Sequence, residues 1–331
     1  MTNFDELSVI ALYSAMAVYA LAFIAYAVDL ARRSAASRAT AAAAAPALAT
    51  ARVAGVQAAR TTDTLVREPA APATPGDYGR SPSLRVGVAL TVLAWALHLG
   101  AEVLRGIAAG RVPWANMYEF AMTGTLVIVT VYLVVNLKVD VRWLGTFITG
   151  LVLILLGLAS VNFYVAVTPL PPALQSVWLV IHVFVATTGV GFFAIGFGLS
   201  VAQLLQARRE AAVAAGKPAG LRLLATLPDA VKLEALAYRI NIIGFILWTF
   251  TLMAGAIWAE KAWGRYWGWD TKEVWTFIIW VIYAGYIHAR ATRGWRGSRA
   301  ASLAIIGFTA VLFNFTIVNL FFKGLHAYSG L

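Results

Sequence analysis

The segment 258–275 reads WAEKAWGRYWGWDTKEVW and lies between two long apolar runs. Five of the chain's 12 tryptophans fall within it, interleaved with Gly264, Gly268 and charges of both signs. Because Trp and Tyr settle at the headgroup level of a bilayer, these rings fit an interfacial belt. Five rings in one glycine-containing loop fit equally well a platform for a large, flat, apolar ligand. The residues alone leave both interpretations open, and both place the segment, called here the tryptophan loop, at a membrane surface.

The rest of the chain has the composition of a membrane protein. Its 331 residues are 61% hydrophobic and 12% charged, with a mean hydropathy of +0.77, which is too apolar for an ordinary soluble domain. We therefore predict an all-α integral membrane protein, a bundle of about eight transmembrane helices. The apolar runs that are long enough to cross about 30 Å of hydrocarbon predict spans at residues 8–30, 84–104, 118–136, 143–164, 177–205, 233–257, 274–288 and 300–322.

The chain divides into three parts. Residues 1–30 carry the first span, which we interpret as a retained helix rather than a signal peptide, because acidic Asp5 and Glu6 precede it. Residues 31–83 are rich in Ala, Thr and Pro without clear periodicity, so we predict a flexible cytoplasmic linker. Residues 84–331 hold the remaining seven predicted spans and form the main membrane domain.

The distribution of positive charge predicts the orientation. The net charge is +11, and 20 of the 26 Lys and Arg fall in the linker and the loops on one side of the predicted bundle. By the positive-inside rule this side is cytoplasmic, so the tryptophan loop and both termini are predicted to be extracytoplasmic. The charge thus indicates topology rather than a nucleic-acid partner. The chain contains no cysteine, which excludes disulfides, thiolate metal sites and thiol redox chemistry.

All four histidines fall at membrane positions rather than in the basic loops. His98 and His288 lie within predicted spans, and His182 and His326 lie near the outer ends of spans. Ionisable residues at membrane depth suggest function, although a helix–helix hydrogen bond explains any one of them as well. Neutral imidazole is a good axial ligand for haem iron. His182 and His326 are expected at the height of the tryptophan loop, where they would hold a macrocycle from its two faces.

The run Trp263–Glu273, WGRYWGWDTKE, resembles the tryptophan-rich "WWD" signature of haem-handling proteins of cytochrome c biogenesis, the superfamily of CcsA (ResC, often called CcsB in actinobacteria), CcmC and CcmF. Thr271 stands where that signature has proline. The segments that carry His182 and His326 resemble those of the two external haem ligands of CcsA, and the segments of His98 and His288 resemble those of its intramembrane histidines. Eight predicted spans and the ending Gly324-Leu-His326-Ala-Tyr328 favour the CcsA/ResC type.

The resemblance implies two sets of site residues. His182 and His326 are the expected external ligands of haem iron, and His98 and His288 the expected intramembrane ligands. The expected haem platform consists of Trp263, Gly264, Arg265, Tyr266, Trp267, Trp269, Asp270 and Lys272. Cations of the loop are candidates to pair with haem propionates. The acids Asp270 and Glu273 are equally candidates to hold the loop together through ion pairs with those cations.

The function implied by the resemblance is that of the haem-handling subunit of a system II cytochrome c synthase in the bacterial plasma membrane. Haem b would be carried to the outer face and presented at the loop for thioether attachment to the CxxCH motif of apocytochrome c. The expected partners are a membrane protein of the CcsB/ResB type and apocytochrome c. Two alternatives stay open at this point. One is a haem or porphyrin transporter without attachment activity, and the other is a carrier of a different flat apolar ligand such as a quinone.

Overall fold

The computed structural model describes residues 4–57, 81–170, 174–218, 222–292, 294–322 and 324–326, with the side chains of all but 37–57. The described residues form helices and connecting loops, without a strand. The α-helices are α1 (Phe4–Gln57), α2 (Pro82–Ala109), α3 (Met117–Asn136), α4 (Gly145–Asn162), α5 (Val177–Ala214), α6 (Ala230–Trp263), α7 (Thr271–Thr292), α8 (Ser298–Phe315) and α9 (Ile317–Phe321). Short 3₁₀ turns lie at Arg142–Leu144 and Arg222–Thr226.

The predicted all-α membrane bundle is confirmed. Seven helices within the described ranges are long and apolar enough to cross a membrane, as expected of a multi-pass membrane protein. The remaining predicted span corresponds to α7, which has 22 residues and is therefore about 33 Å long. Its Lys272, Glu273 and Arg290 make it less apolar than the other helices. Helix α7 packs against α8 and α6, so we assign it to the bundle as well.

Several predicted helix ends differ from the observed ones. Helix α1 continues to Gln57, beyond the predicted end of the first span at residue 30. The tether predicted for 31–83 stays a prediction, and its residues 58–80 lie outside the described residues. Helix α5 continues to Ala214, beyond the predicted residue 205. Helix α2 continues to Ala109, where Gly110 with φ 63° ends it, so that Arg105, directly after the predicted end of this span at residue 104, is part of the helix.

The extension of α2 buries Arg105 at one end of the bundle. Its guanidinium is fully buried and donates to Glu119 Oε1 at 3.1 Å, to Asp5 and to the carbonyl of Val165. Glu119 is also fully buried and accepts a second bond from Arg111 at 2.8 Å. A buried charge is tolerated only when it is paired in this way. This cluster joins the beginning of α1 to α2, α3 and the loop after α4.

The core follows the close pairing of α5 with α6, which is the most extensive contact between two helices. A Cβ on Gly196 would lie 2.1 Å from Asn241 Oδ1, and one on Gly244 would lie 2.7 Å from the ring of Phe193. Small residues allow membrane helices to approach one another in this way. Helix α3 also packs against α5, and α8 packs against both α5 and α7. The tryptophan loop, the beginning of α1 and His326 lie at one end of this bundle, and whether that end is extracytoplasmic stays a prediction.

Candidate ligand-binding site

The tryptophan loop is a short turn between two well-defined helix ends. Helix α6 ends where Gly264 adopts the left-handed conformation, with φ 71°, and its N–H donates to the carbonyl of Glu260 at 2.8 Å. Helix α7 begins at Thr271. The first position of a helix is the one where proline is favoured but not required. The departure from the family signature at Thr271 therefore falls where a helix accepts either residue.

Asp270 and Glu273 fix the loop on the end of α7. Oε2 of Glu273 accepts the N–H of Gly268 at 2.8 Å and the N–H of Asp270 at 3.1 Å. The carboxylate of Asp270 accepts the N–H of Lys272 at 3.2 Å. This reciprocal arrangement is a capping box, which satisfies amides that the helix cannot bond itself. The backbone bends so that two amides reach one carboxylate oxygen, and Trp269 lies in the left-handed region, with φ 58°.

Asp270 also holds the end of the described chain. Its Oδ2 is 2.8 Å from His326 Nδ1, and its Oδ1 accepts the N–H of Leu325 at 3.1 Å. A Cβ on Gly324 would lie 2.0 Å from Oδ1, so only glycine permits this approach. The hydrogen bond from His326 is the main cause that lowers the pKa of Asp270. Because a carboxylate only accepts, a neutral His326 carries its proton on Nδ1 and a lone pair on Nε2.

His182 is held in a comparable way from the other side. It lies one turn into α5, and its Nδ1 is 3.0 Å from the carbonyl oxygen of Thr251 on α6. A Cβ on Gly255 would lie 2.7 Å from the imidazole ring, so glycine lets the ring rest against α6. Since a carbonyl oxygen only accepts, Nδ1 carries the proton and Nε2 keeps its lone pair.

Two tryptophans connect the two imidazoles. Trp258, which is only 2% exposed, stacks near His182 with ring centroids 5.9 Å apart. The same indole meets His326 edge to face at 5.4 Å, and Trp263 meets His326 at 4.7 Å. The predicted external pair is thus brought to one place in the structure.

Both histidines line a large cavity among α3, α5, α6, α7 and α8. The space between its walls, including the part beyond its open mouth, is about 1270 Å³. It extends from Tyr266 and Trp267 at the loop down to Trp248, Val190 and Ile128 at membrane depth. A smaller cavity of about 620 Å³ adjoins it and shares His182, His326 and Lys272. The walls are mainly apolar, as an apolar macrocycle requires.

The tryptophans of the loop do not form one surface. Tyr266 and Trp267 line the cavity, whereas Trp269 is 77% exposed and meets Trp267 edge to face. Trp275 packs on Phe313 of α8 with ring centroids 4.3 Å apart. The rings of this segment therefore differ in what they do: Trp267 lines the cavity, Trp269 is exposed beside it, and Trp275 packs against α8.

The charged residues of the loop have specific contacts. Lys272 lines both cavities, and its amine donates to the carbonyl of Asn314 at 3.1 Å and to Asn319 Oδ1 at 2.6 Å. The Arg265 guanidinium lies against Gly268, where a Cβ would be 2.4 Å from its carbon. In the described part of the chain the recorded partners of the Asp270 and Glu273 carboxylates are backbone amides and His326. The acids hold the loop, but through these groups and not through the ion pairs with the loop cations that the sequence suggested.

The structure does not bring His98 and His288 together. His98 is fully buried on α2, with its Nδ1 3.5 Å from the hydroxyl of Tyr19. His288 is exposed on α7. Helix α2 packs mainly on α1 and α3, whereas α7 packs mainly on α8 and α6. Neither histidine lines the large cavity.

Sequence reasoning missed several residues that shape the site. The pattern D-x-x-E at Asp270 and Glu273 is a recognisable capping-box signal. No sequence pattern marks the other three residues, because their roles depend on how the helices pack. Thr251 offers its carbonyl oxygen to His182, Gly255 lets the imidazole come close, and Gly124 faces open space. Gly124 lines the cavity, and a Cβ there would meet nothing within 4 Å.

Comparisons with known proteins agree with the resemblance in the sequence. The model of the family described as "Cytochrome C assembly protein" matches residues 114–326. The cytochrome c biogenesis protein CcsA of Prochlorococcus marinus is 33% identical over 274 residues, which cover 76% of this chain and 86% of that protein. CcsA of Synechococcus sp. (strain CC9902) is 34% identical over 281 residues, covering 75% and 88%. CcsA of Guillardia theta is 33% identical over 261 residues, covering 74% and 86%.

A solved structure shares the fold. The cytochrome c haem lyase CcmF superposes with a TM-score of 0.61 at 15% identity, over 95% of this chain and 47% of that chain. This chain thus spans about half the length of that protein. At this identity the similarity concerns the fold alone, and it supports the helical arrangement described above.

Replacement of Trp269 tests the strain in the loop. A bulky residue in the left-handed region costs about 1–2 kcal/mol, a cost that glycine avoids. We expect Trp269→Gly to leave the thermal unfolding midpoint in detergent unchanged or higher. Trp269→Ala is the matched control, since it removes the same exposed indole but keeps the Cβ, and we expect it to be less stable than Trp269→Gly. The reverse order of the two midpoints would contradict the assignment of strain.

Proposed function

The chain belongs to the cytochrome c assembly protein family, and from that premise we propose that it is the haem-handling subunit of a system II cytochrome c synthase. It receives haem b as a substrate and presents it at the outer face of the membrane. There the haem becomes attached to the CxxCH motif of an apocytochrome c. The cavity beneath the tryptophan loop is the proposed place of presentation.

One observation carries this proposal. His182 and His326 line the same cavity, and each has its Nδ1 engaged by an oxygen acceptor. Histidines that bind metal almost always donate their other ring N–H to a carboxylate or carbonyl, which fixes the tautomer and the ring orientation. Each Nε2 is thereby left to ligate iron. A carrier of a quinone or another metal-free ligand would not need two imidazoles held in this way.

The proposed attachment is an addition. The S–H bond of each substrate cysteine breaks, a C–S bond forms to one vinyl carbon of haem, and the proton ends on the other vinyl carbon. The addition consumes no oxidant or reductant. The thiols come from the apocytochrome, because the chain itself contains no cysteine. The contribution of this protein is therefore to hold the macrocycle in position, which can supply a large part of a rate enhancement.

The cations at the site are proposed to bind the propionates. Lys272 lines both cavities, and Arg265 is exposed in the turn and directly precedes Tyr266, which lines the larger one. Arginine binds carboxylates through two parallel hydrogen bonds, whereas lysine acts as a point charge. The amine of Lys272 already bonds Asn314 and Asn319, so it is pre-positioned at the cavity wall.

A partner protein completes the proposed assembly. The loops at the end of the bundle that carries the site are short, and they offer little surface to hold an unfolded apocytochrome. We propose that a membrane protein of the CcsB/ResB type supplies that surface, on the extracytoplasmic side of the bacterial plasma membrane. His98 and His288 remain proposed intramembrane ligands, although their helices do not pack on one another.

The visible absorption spectrum of the purified protein tests the ligand assignment. Wild type is expected to carry low-spin haem bands, because two imidazoles ligate the iron. We expect His182→Ala and His326→Ala to lose the share of these bands that comes from haem at the loop, and His98→Ala and His288→Ala to keep that share. Low-spin bands of undiminished intensity in both external variants would contradict the assignment and move the haem to the intramembrane histidines.

A matched pair of glycine variants tests the cavity. Gly124 lines it and Gly157 on α4 does not, and a Cβ at either position meets nothing within 4 Å. Gly124→Leu adds an isobutyl group at the cavity wall, where its Cβ meets no neighbour, so we expect haem occupancy to fall about tenfold or more, which corresponds to about 1.4 kcal/mol. Gly157→Leu is expected to bind as wild type. Equal occupancy in the two variants would place the haem elsewhere.

Attachment itself separates a synthase from a transporter. The protein is reconstituted with a CcsB/ResB-type partner, ferrous haem and a CxxCH peptide, and the peptide is analysed by mass spectrometry for covalent haem. We expect a haem adduct with the CxxCH peptide and none with an AxxAH control, because the thiols form the bonds. A bis-imidazole spectrum without any adduct would support the transporter instead.

A further inference from the structure

The two proposed iron ligands are held with unequal strength. His182 lies inside α5, a helix of 38 residues, so its backbone is fixed on both sides. Its ring rests against Gly255 and beneath Trp258, and its Nδ1 bonds a carbonyl in the interior of α6. The backbone of His182 is also held by α6, with which α5 makes the most extensive contact between two helices in the bundle.

His326 is attached differently. Helix α8 ends at Phe315, and the short α9 runs only from Ile317 to Phe321. His326 follows in a turn, where its side chain is 17% exposed and its polar contact is with Asp270. The segment therefore lies on the tryptophan loop through side-chain contacts rather than through a continuous helix.

The start of α7 provides those contacts. Asp270 binds the ring of His326 and the N–H of Leu325. Lys272 binds Asn319 of α9 and the carbonyl of Asn314 at the end of α8. Two residues at this helix end thus fasten α9 and residues 324–326 beside the cavity. Loss of the Asp270 contacts would release the side chain of His326. The contacts of His182 with Thr251 and Gly255 do not involve Asp270.

From this asymmetry we infer that His326 is the exchangeable axial ligand, that His182 is the permanent one, and that Asp270 is the positioning residue that sets how readily His326 leaves. The inference rests on the proposed function and assigns an order to its steps. One Fe–N bond to His326 breaks and one Fe–N bond to the histidine of the CxxCH motif forms. The iron keeps its oxidation state, and His326 keeps the proton on its Nδ1, which can still donate to Asp270.

Carbon monoxide is the probe for this exchange, since it binds ferrous haem only at a position that an axial ligand has vacated. The rate of CO binding is measured by stopped-flow absorbance on the haem-loaded full chain. Hydrogen bonds to charged groups contribute about 1.5–3 kcal/mol, so Asp270→Ala is expected to raise the rate about 10- to 100-fold. Glu260→Ala is the matched control, because this acid lies at the same end of the bundle and pairs with Lys261. It is expected to react as wild type.

A second comparison holds even if Asp270→Ala loses haem. His326→Gly is expected to bind haem with a weakened low-spin spectrum that free imidazole restores, because His182 still holds the iron. His182→Gly is expected to lose haem, and imidazole is not expected to restore it. Rescue of His182→Gly but not of His326→Gly would reverse the assignment of the two ligands.

The outcomes separate this inference from the function on which it rests. A bis-imidazole haem spectrum in wild type, with CO binding to Asp270→Ala within twofold of wild type, would overturn the role of Asp270 and leave the haem site intact. A wild-type protein that binds no haem after reconstitution would overturn the proposed function itself. Faster CO binding in Asp270→Ala but not in Glu260→Ala would support the exchange at His326.

Discussion

The carboxylate of Asp270 is the interaction on which the candidate site depends. It caps the first turn of α7 through Lys272, fixes the backbone at Leu325 and holds the ring of His326. The fold brings these groups together from two parts of the chain about 55 residues apart. A carboxylate with several donors is strongly stabilised in its charged form, which agrees with the lowered pKa of this group. This one side chain therefore links three features of the site: the shape of the turn before α7, the position of the His326 ring, and the backbone at Leu325.

The sequence predicted the bundle, and it placed His182 and His326 near one another, because both inferences follow from local patterns; that the two histidines ligate haem stays a prediction. Apolar runs of membrane length predict spans wherever they occur, and His182 and His326 each lie beside the end of such a run. The extension of α2 past Arg105 was not predicted, because a charged residue usually marks the end of a span. In the fold Glu119 and Asp5 offset its charge, and these partners lie 14 and 100 residues away. Pairing at such separations leaves no local pattern to read.

The intramembrane histidines show a second limit of sequence reasoning. His98 and His288 were grouped because both lie within predicted spans, but depth in a membrane does not specify which helices are neighbours. Helix α2 belongs with α1 and α3, and α7 belongs with α6 and α8. Similarly, five tryptophans in one loop suggested a single platform, whereas the turn directs their rings to different surroundings. Trp258 is buried between the histidines, and Trp269 is directed outward by its left-handed backbone.

The lining of the cavity suits a flat, apolar ligand. Its walls combine aromatic and aliphatic side chains, among them Phe120, Leu155 and Trp248. Gly124 also lines it, and a Cβ there would meet no atom within 4 Å. The two imidazoles at its end are held with their Nδ1 atoms engaged, which leaves both Nε2 lone pairs free to bind a metal. An apolar cavity with two such nitrogen donors suits a ligand that is apolar over its faces and carries a metal at its centre.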